Sequence, residues 1–138
     1  LTTNQLLDIS LIHNYAGERL KLFSGSDELF CHASLCGTVG AIGSFYNLWG
    51  PQCKYVMEEF LQGNYKLTKK FMLEFQNIIQ TIMPNIWTFL RSAMRLKYNI
   101  DIGQTKPPLA NTHRPWENED VLKMMDKLER ITDTVIQK

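Results

Sequence analysis

Apolar and polar positions along the chain fall into two kinds of block. Leu6, Ile9, Ile12 and Tyr15 recur at helical spacing behind the cap-type residues Thr2, Thr3 and Asn4, and Gly17 follows as a stop, which predicts a first helix. Leu20 to Phe23 is a short apolar run ending in Ser-Gly, the pattern of a strand. Ser26, Asp27 and Glu28 then precede the apolar positions Leu29, Phe30, Ala33 and Leu35, a helix closed by Gly37. The unit repeats: Val39 to Ser44 is short and apolar, and Gly50-Pro51 opens a helix carrying Tyr55, Val56, Phe60 and Leu61 up to Gly63.

Beyond Asn64 the strand-like runs cease. Tyr65 to Met83 and Ile86 to Tyr98 read as two long helices around a break at Pro84, the first with a packing stripe of Phe71, Phe75, Ile78, Ile79 and Ile82. Asp101 to Pro115 reads as a polar loop. Val121 to Ile136 reads as a last helix, with Val121, Leu122, Met125, Leu128, Ile131 and Val135 on its apolar positions.

Strands separated by helices and short connections specify parallel strands with crossover helices, an α/β architecture. Two strands do not make a stable sheet in water, and bare parallel edges invite aggregation. The economical expectation is that residues 1–63 are the closing βα units of a TIM (β/α)8 barrel, its last two strands with their helices, and that residues 64–138 are a C-terminal helical extension. A whole barrel takes about 250 residues, so the remaining strands are expected upstream of Leu1, and the chain is expected to be a fragment.

Composition narrows the partners. The 138 residues are 44% hydrophobic and 21% charged with a net charge of +1, an ordinary globular balance that offers no electrostatic footprint for nucleic acid or an anionic membrane. The most apolar stretch, Phe71 to Leu90, is interrupted by Glu74, Gln76, Asn77, Gln80, Pro84 and Asn85, so no membrane span is expected. Cys31, Cys36 and Cys53 are too few and odd in number for a disulfide framework, which fits a reducing, cytoplasmic setting.

The chemistry concentrates at the expected strand ends. In a parallel barrel the functional face lies at the C-terminal ends of the strands, where Ser24 to Glu28 and Gly43-Ser44 would fall. Glycine there admits a ligand to the backbone, carboxylates accept hydroxyl hydrogen bonds, and serine both donates and accepts, a set suited to a polyol. The alternative is structural: Ser26 or Asp27 caps the next helix, with Asp27 and Glu28 favoured by its dipole. Cys31, His32 and Cys36 are close in sequence, yet Cys-His-x3-Cys is not a zinc-ligand spacing, and buried cysteines on a helix against a sheet are the ordinary reading; no metal is expected. His32 and Cys36 lack a third group to orient them as base and nucleophile. Lys66, Lys69 and Lys70 read as a solvated face, and Trp49, Trp87 and Trp116 as packing residues.

"LFSGSDELF" followed by "GTVGAIGSFYNLWG" resembles the closing half of the N-acetylneuraminate lyases, whose comparable strands read Gly-x-Asp-Glu and Gly-Ser-x-Tyr-Asn. These belong to the pyruvate-dependent class I aldolase superfamily that includes dihydrodipicolinate synthase. The resemblance runs from about Thr2 to Tyr98 and departs at "GQTKPPLANTHRPW". It implies a homotetrameric TIM barrel that reversibly cleaves N-acetylneuraminate to N-acetylmannosamine and pyruvate through a lysine Schiff base, with no cofactor. It also implies that Gly25, Asp27, Glu28 and Ser44 hold the sugar, and that Thr2 matches the threonine of a Lys-x-Thr motif. The lysine would then stand immediately before Leu1, so no residue of this chain is expected to be catalytic. Two other readings differ from this one: a truncated, non-catalytic homologue acting as an interaction subunit, and an aldolase for another 2-keto acid.

Overall fold

The computed structural model describes residues 1–109 and 115–136. Residues 110–114 of the expected polar loop, and the side chain of Val135, lie outside the described residues. The chain divides into two compact units, Leu1–Tyr46 and Asn47–Lys138. Its folding pattern is that of the C-terminal portion of a TIM barrel, two parallel strands with their helices followed by further helices.

In the first unit, helix α1 (Leu6–Ala16) ends at Gly17, whose φ of 55° suits a residue without a Cβ. Its buried positions are Ile9 and Ala16, whereas Tyr15 is exposed. At 3.6 residues per turn Tyr15 lies about 120° around the helix from Ile9, off the stripe that Ile9 and Ala16 share; there its ring instead lies beneath the Arg19 guanidinium, 5.7 Å from the centroid. Strand β1 (Leu22–Ser24) pairs in parallel with β2 (Thr38–Ala41) through the short helix α2 (Phe30–Leu35). Both strands are shorter than the apolar runs imply. Phe23 stands opposite Gly40, where a Cβ would crowd the Phe23 ring.

The other edge of β1 is also engaged. The Leu1 nitrogen donates to Phe23 O and Leu1 O accepts from Gly25 N, both at 2.8 Å. Those are the two bonds one residue of a parallel strand makes around its neighbour, here Ser24. On the opposite edge Ile42 N donates to Ser24 O at 2.8 Å. At Ser24, therefore, β1 has the bonding of an inner strand.

The second unit is helical and closes on aromatic side chains. Helix α3 (Tyr46–Leu61) enters it from the first unit and breaks at Trp49 (φ −123°, ψ 23°), which lets Pro51 sit in the first turn of the continuing helix, where its missing N–H costs nothing. Helix α4 (Tyr65–Ile82) begins with the Asn64 side chain accepting from Leu67 N. It gives way at Pro84 to a single 3₁₀ turn, and α5 (Ile86–Tyr98) follows. Helix α6 (Asn118–Ile136) packs on both α4 and α5. The expected stripe Phe71, Phe75, Ile78, Ile79 and Ile82 is buried throughout, and Trp49 meets Phe75 edge-on at 5.9 Å while its indole N–H donates to Met125 O at 3.4 Å. Among the described residues no helix is long and apolar enough to cross a membrane.

Candidate functional site

Because β1 and β2 are parallel, the segments that leave their C-terminal ends, Gly25 to Glu28 and Ile42 to Phe45, emerge on one side of the sheet. Leu1, bonded alongside Ser24, carries Thr2 and Thr3 to the same place. Close approach is enforced by two glycines. A Cβ on Gly25 would overlap Thr2 Oγ1, and a Cβ on Gly43 would overlap Asp27 Oδ1. The polar lining is locked from within: Ser26 N donates to Ser24 Oγ at 3.3 Å, and Ser26 Oγ donates to Thr3 O at 3.1 Å. Ser24, Ser26 and Asp27 are all buried, an unusual concentration of polar side chains that survives only because each is hydrogen-bonded.

The structure bears on the capping role considered for Ser26 and Asp27. Asp27, Glu28 and Leu29 form a 3₁₀ turn, and neither this turn nor α2 carries a side-chain cap. Ser26 Oγ instead turns back to Thr3. Asp27 reaches across to the other strand end, where its Oδ2 accepts the Phe45 amide at 2.9 Å. The capping expectation fails because these longer-range partners bury the carboxylate and hydroxyl more completely than the exposed first turn of a short helix would.

The electrostatics follow from that burial. Asp27 is 6% exposed, and its pKa is pushed up to about 6, chiefly by loss of hydration and further by the neighbouring Glu28 carboxylate, against the Phe45 N–H that favours the charged form. Glu28 is half-buried, as is Ser44, which stands between Gly43 and Phe45, the two residues Asp27 touches. Thr2 is exposed beside Gly25. The five positions Thr2, Gly25, Asp27, Glu28 and Ser44 thus share the strand-end region. The Phe45 amide escaped the sequence reading because a main-chain donor leaves no residue-type signature. The requirement for glycine at position 43 was visible only as part of a Gly-Ser dipeptide.

Elsewhere the cysteines separate by environment. Cys31 is buried on α2 and burial pushes its thiol up to about 12, which leaves it in the unreactive protonated form, while His32 on the same helix is exposed. Among the described residues no three His, Cys, Asp or Glu side chains gather as a metal site.

Comparison with known proteins agrees with this architecture. The chain is 25% identical over 128 residues to a 4-hydroxy-tetrahydrodipicolinate synthase of Prochlorococcus marinus, covering 90% of this chain and 41% of the relative. Its fold is similar to a Ruminococcus gnavus sialic acid aldolase, a catalytic lysine mutant, with a TM-score of 0.74, 18% identity, and coverage of 96% of this chain and 43% of that one. It is similar also to N-acetylneuraminate lyase of Fusobacterium nucleatum complexed with pyruvate, with a TM-score of 0.72, 19% identity, and coverage of 94% and 42%. The chain therefore spans less than half the length of the relatives it matches. The dihydrodipicolinate synthetase family model matches residues 2–129, nearly the whole sequence, and the chain belongs to that family.

Proposed function

We propose that the protein containing this chain is an N-acetylneuraminate lyase, and that the strand-end cluster is the sugar-binding end of its pocket. One observation carries the reading: the Asp27-Glu28 pair and the Gly43-Ser44 turn lie against each other at the C-terminal ends of adjacent parallel strands, where barrel enzymes bind substrate. In this reading Gly25, Asp27, Glu28 and Ser44 serve the hydroxyl-rich part of the substrate, and Thr2 lies toward the keto-acid end. The reaction joins or cleaves the carbon–carbon bond between N-acetylmannosamine and pyruvate. A lysine immediately before Leu1 forms the Schiff base, its amine kept partly neutral by burial. The working protein is a homotetramer, and its three free cysteines fit a cytoplasmic setting.

Identity of 25% to the synthase favours a second reading, an aldolase for another 2-keto-acid reaction on the same scaffold. Borohydride trapping with pyruvate, on protein carrying its complete N-terminus, tests what both readings share. A pyruvyl adduct on the lysine preceding Leu1 is expected, and a folded protein that yields no adduct would contradict both. Release of pyruvate from N-acetylneuraminate then separates the first reading from the second.

A further inference from the structure

Three consecutive residues at the break in α3 are each tied to the C-terminal helices. Tyr98 Oη, at the end of α5, donates to Asn47 O at 3.0 Å. Beside it Lys97 Nζ donates to Leu48 O at 2.5 Å and to Glu129 Oε1 on α6 at 2.6 Å, and the Trp49 indole N–H donates to Met125 O, also on α6. These partners stand 49 to 76 residues away in the chain. In an unbroken helix Asn47 O would accept from the N–H of residue 51, and residue 51 is Pro51, which has none. Trp49 itself leaves the helical dihedrals (φ −123°, ψ 23°). Carbonyls at such a break take partners from outside their own helix, and a lysine side chain is a favoured one. The anchored residues also begin where the strand-end region stops, since only Tyr46 separates Asn47 from the Gly43–Phe45 turn. A short turn is fixed at both ends, here by β2 upstream and by whatever holds Asn47 and Leu48 downstream.

Resting on the lyase reading above, we infer that Lys97 and Tyr98 are positioning residues for the reaction: by anchoring the Asn47 and Leu48 carbonyls they fix the downstream end of the Gly43–Phe45 turn, and Glu129 orients Lys97. The side chains suit the task. A bond from an ammonium group to a carbonyl is charge-assisted and stronger than a neutral one. The Lys97 and Glu129 side chains are only 22% and 27% exposed, so water competes little for them. The helical extension thereby serves the turn as well as its own core.

The test uses the full-length protein with Lys97→Met, Tyr98→Phe and Glu129→Gln, which keep the bulk of each side chain and remove a donor or a charge, and with Lys123→Ala as an exposed control on α6. Lys97→Met and Tyr98→Phe are each expected to raise KM for N-acetylneuraminate about threefold to tenfold, while the rate of borohydride trapping with pyruvate stays within about twofold of the parent. Glu129→Gln is expected to raise KM by a smaller factor and to add nothing in the Lys97→Met background, because its effect passes through Lys97; an added effect would remove Glu129 from the device. Contacts that only stabilise would lower the unfolding midpoint and leave KM unchanged, and that result overturns the inference. So does a loss of trapping as large as the loss of turnover, which would mark general damage. Hydrogen–deuterium exchange over residues 46–53 needs no substrate. It is expected to be at least about threefold faster in Lys97→Met and in Tyr98→Phe and unchanged in Lys123→Ala; unchanged exchange in the first two overturns the anchor. Should Lys97→Met not fold, Tyr98→Phe, which loses one oxygen atom, carries both readouts. A folded parent that releases no pyruvate refutes the lyase reading, and faster exchange in the variants would then still support the anchor.

Discussion

The two compact units bury different chemistry. In Leu1–Tyr46 the buried positions include Ser24, Ser26, Asp27 and Thr38, while apolar Phe23, Val39 and Ile42 on or beside the strands are exposed. In Asn47–Lys138 the interior includes Trp49, Phe71, Phe75, Ile78, Ile82, Phe89 and Leu128, and apart from the partly covered Lys97–Glu129 pair the paired charges of its helices are largely exposed. The first unit holds a hydrogen-bonded network of buried polar groups in place, which is what a binding site demands. The second is an amphipathic helical packing that stabilises, and among its described residues the buried polar side chains are Thr68 and Thr132, on separate helices.

That contrast can be broken most forcefully from the apolar side. Phe75 is fully buried against Trp49 and Phe71, so Phe75→Ala in the full-length protein is expected to cost about 3–5 kcal/mol in denaturant unfolding. A loss below about 1 kcal/mol would show that the second unit is not held by this core.

From the polar side the effect depends on pH. The folded pKa of Asp27, about 6, exceeds its ordinary value of 3.8, so folding takes up a proton between those values. Its contribution to stability is full below about pH 4 and is lost as pH rises through about 6, a change on the order of 3 kcal/mol. Asp27→Asn should flatten the stability profile across that window. A profile in the asparagine variant as steep as in the parent would assign the titration to another group.

Smaller effects sharpen the boundary between packing and charge. Lys97 on α5 donates to Leu48 O at 2.5 Å and to Glu129 on α6 at 2.6 Å, with both charged side chains about three-quarters covered. Glu129→Gln is expected to lower unfolding stability by about 1–2 kcal/mol. Lys123→Ala, which removes exposed bridges to Glu119 and Asp120, should change it by less than about 0.5 kcal/mol. If the two substitutions proved equal, partial burial would not be what gives the Lys97 bridge its value.

Legibility in the sequence followed the same division. Pro84 announced the break after α4 because proline restricts the backbone wherever it stands, and the Phe71 to Ile82 stripe was visible because one helical face is buried along its length, whereas Gly50-Pro51, read as a helix start, lies inside α3 just past its kink at Trp49. In the first unit the strands overlap the apolar runs but their ends are displaced by one to three residues, since three- and four-residue strands have too few positions to show a period. Tyr15 misled because an i, i+3 spacing repeated without an i+4 step drifts around the helix. The strand-end cluster was readable as a collection of residue types. The partner of Asp27 was not, since a backbone amide 18 residues away is specified by the fold and by no local pattern. Nor was the bond pair that seats Leu1 on β1, which again involves only main-chain groups.

The central claim is that the strand-end cluster holds the polyhydroxylated part of N-acetylneuraminate, and coupled detection of pyruvate release by the full-length protein tests it most directly. The account predicts turnover by the parent, with KM raised about tenfold in Glu28→Gln and in Ser44→Ala. Pyruvate released by both variants with an unchanged KM would contradict it, as would a folded parent that leaves N-acetylneuraminate intact.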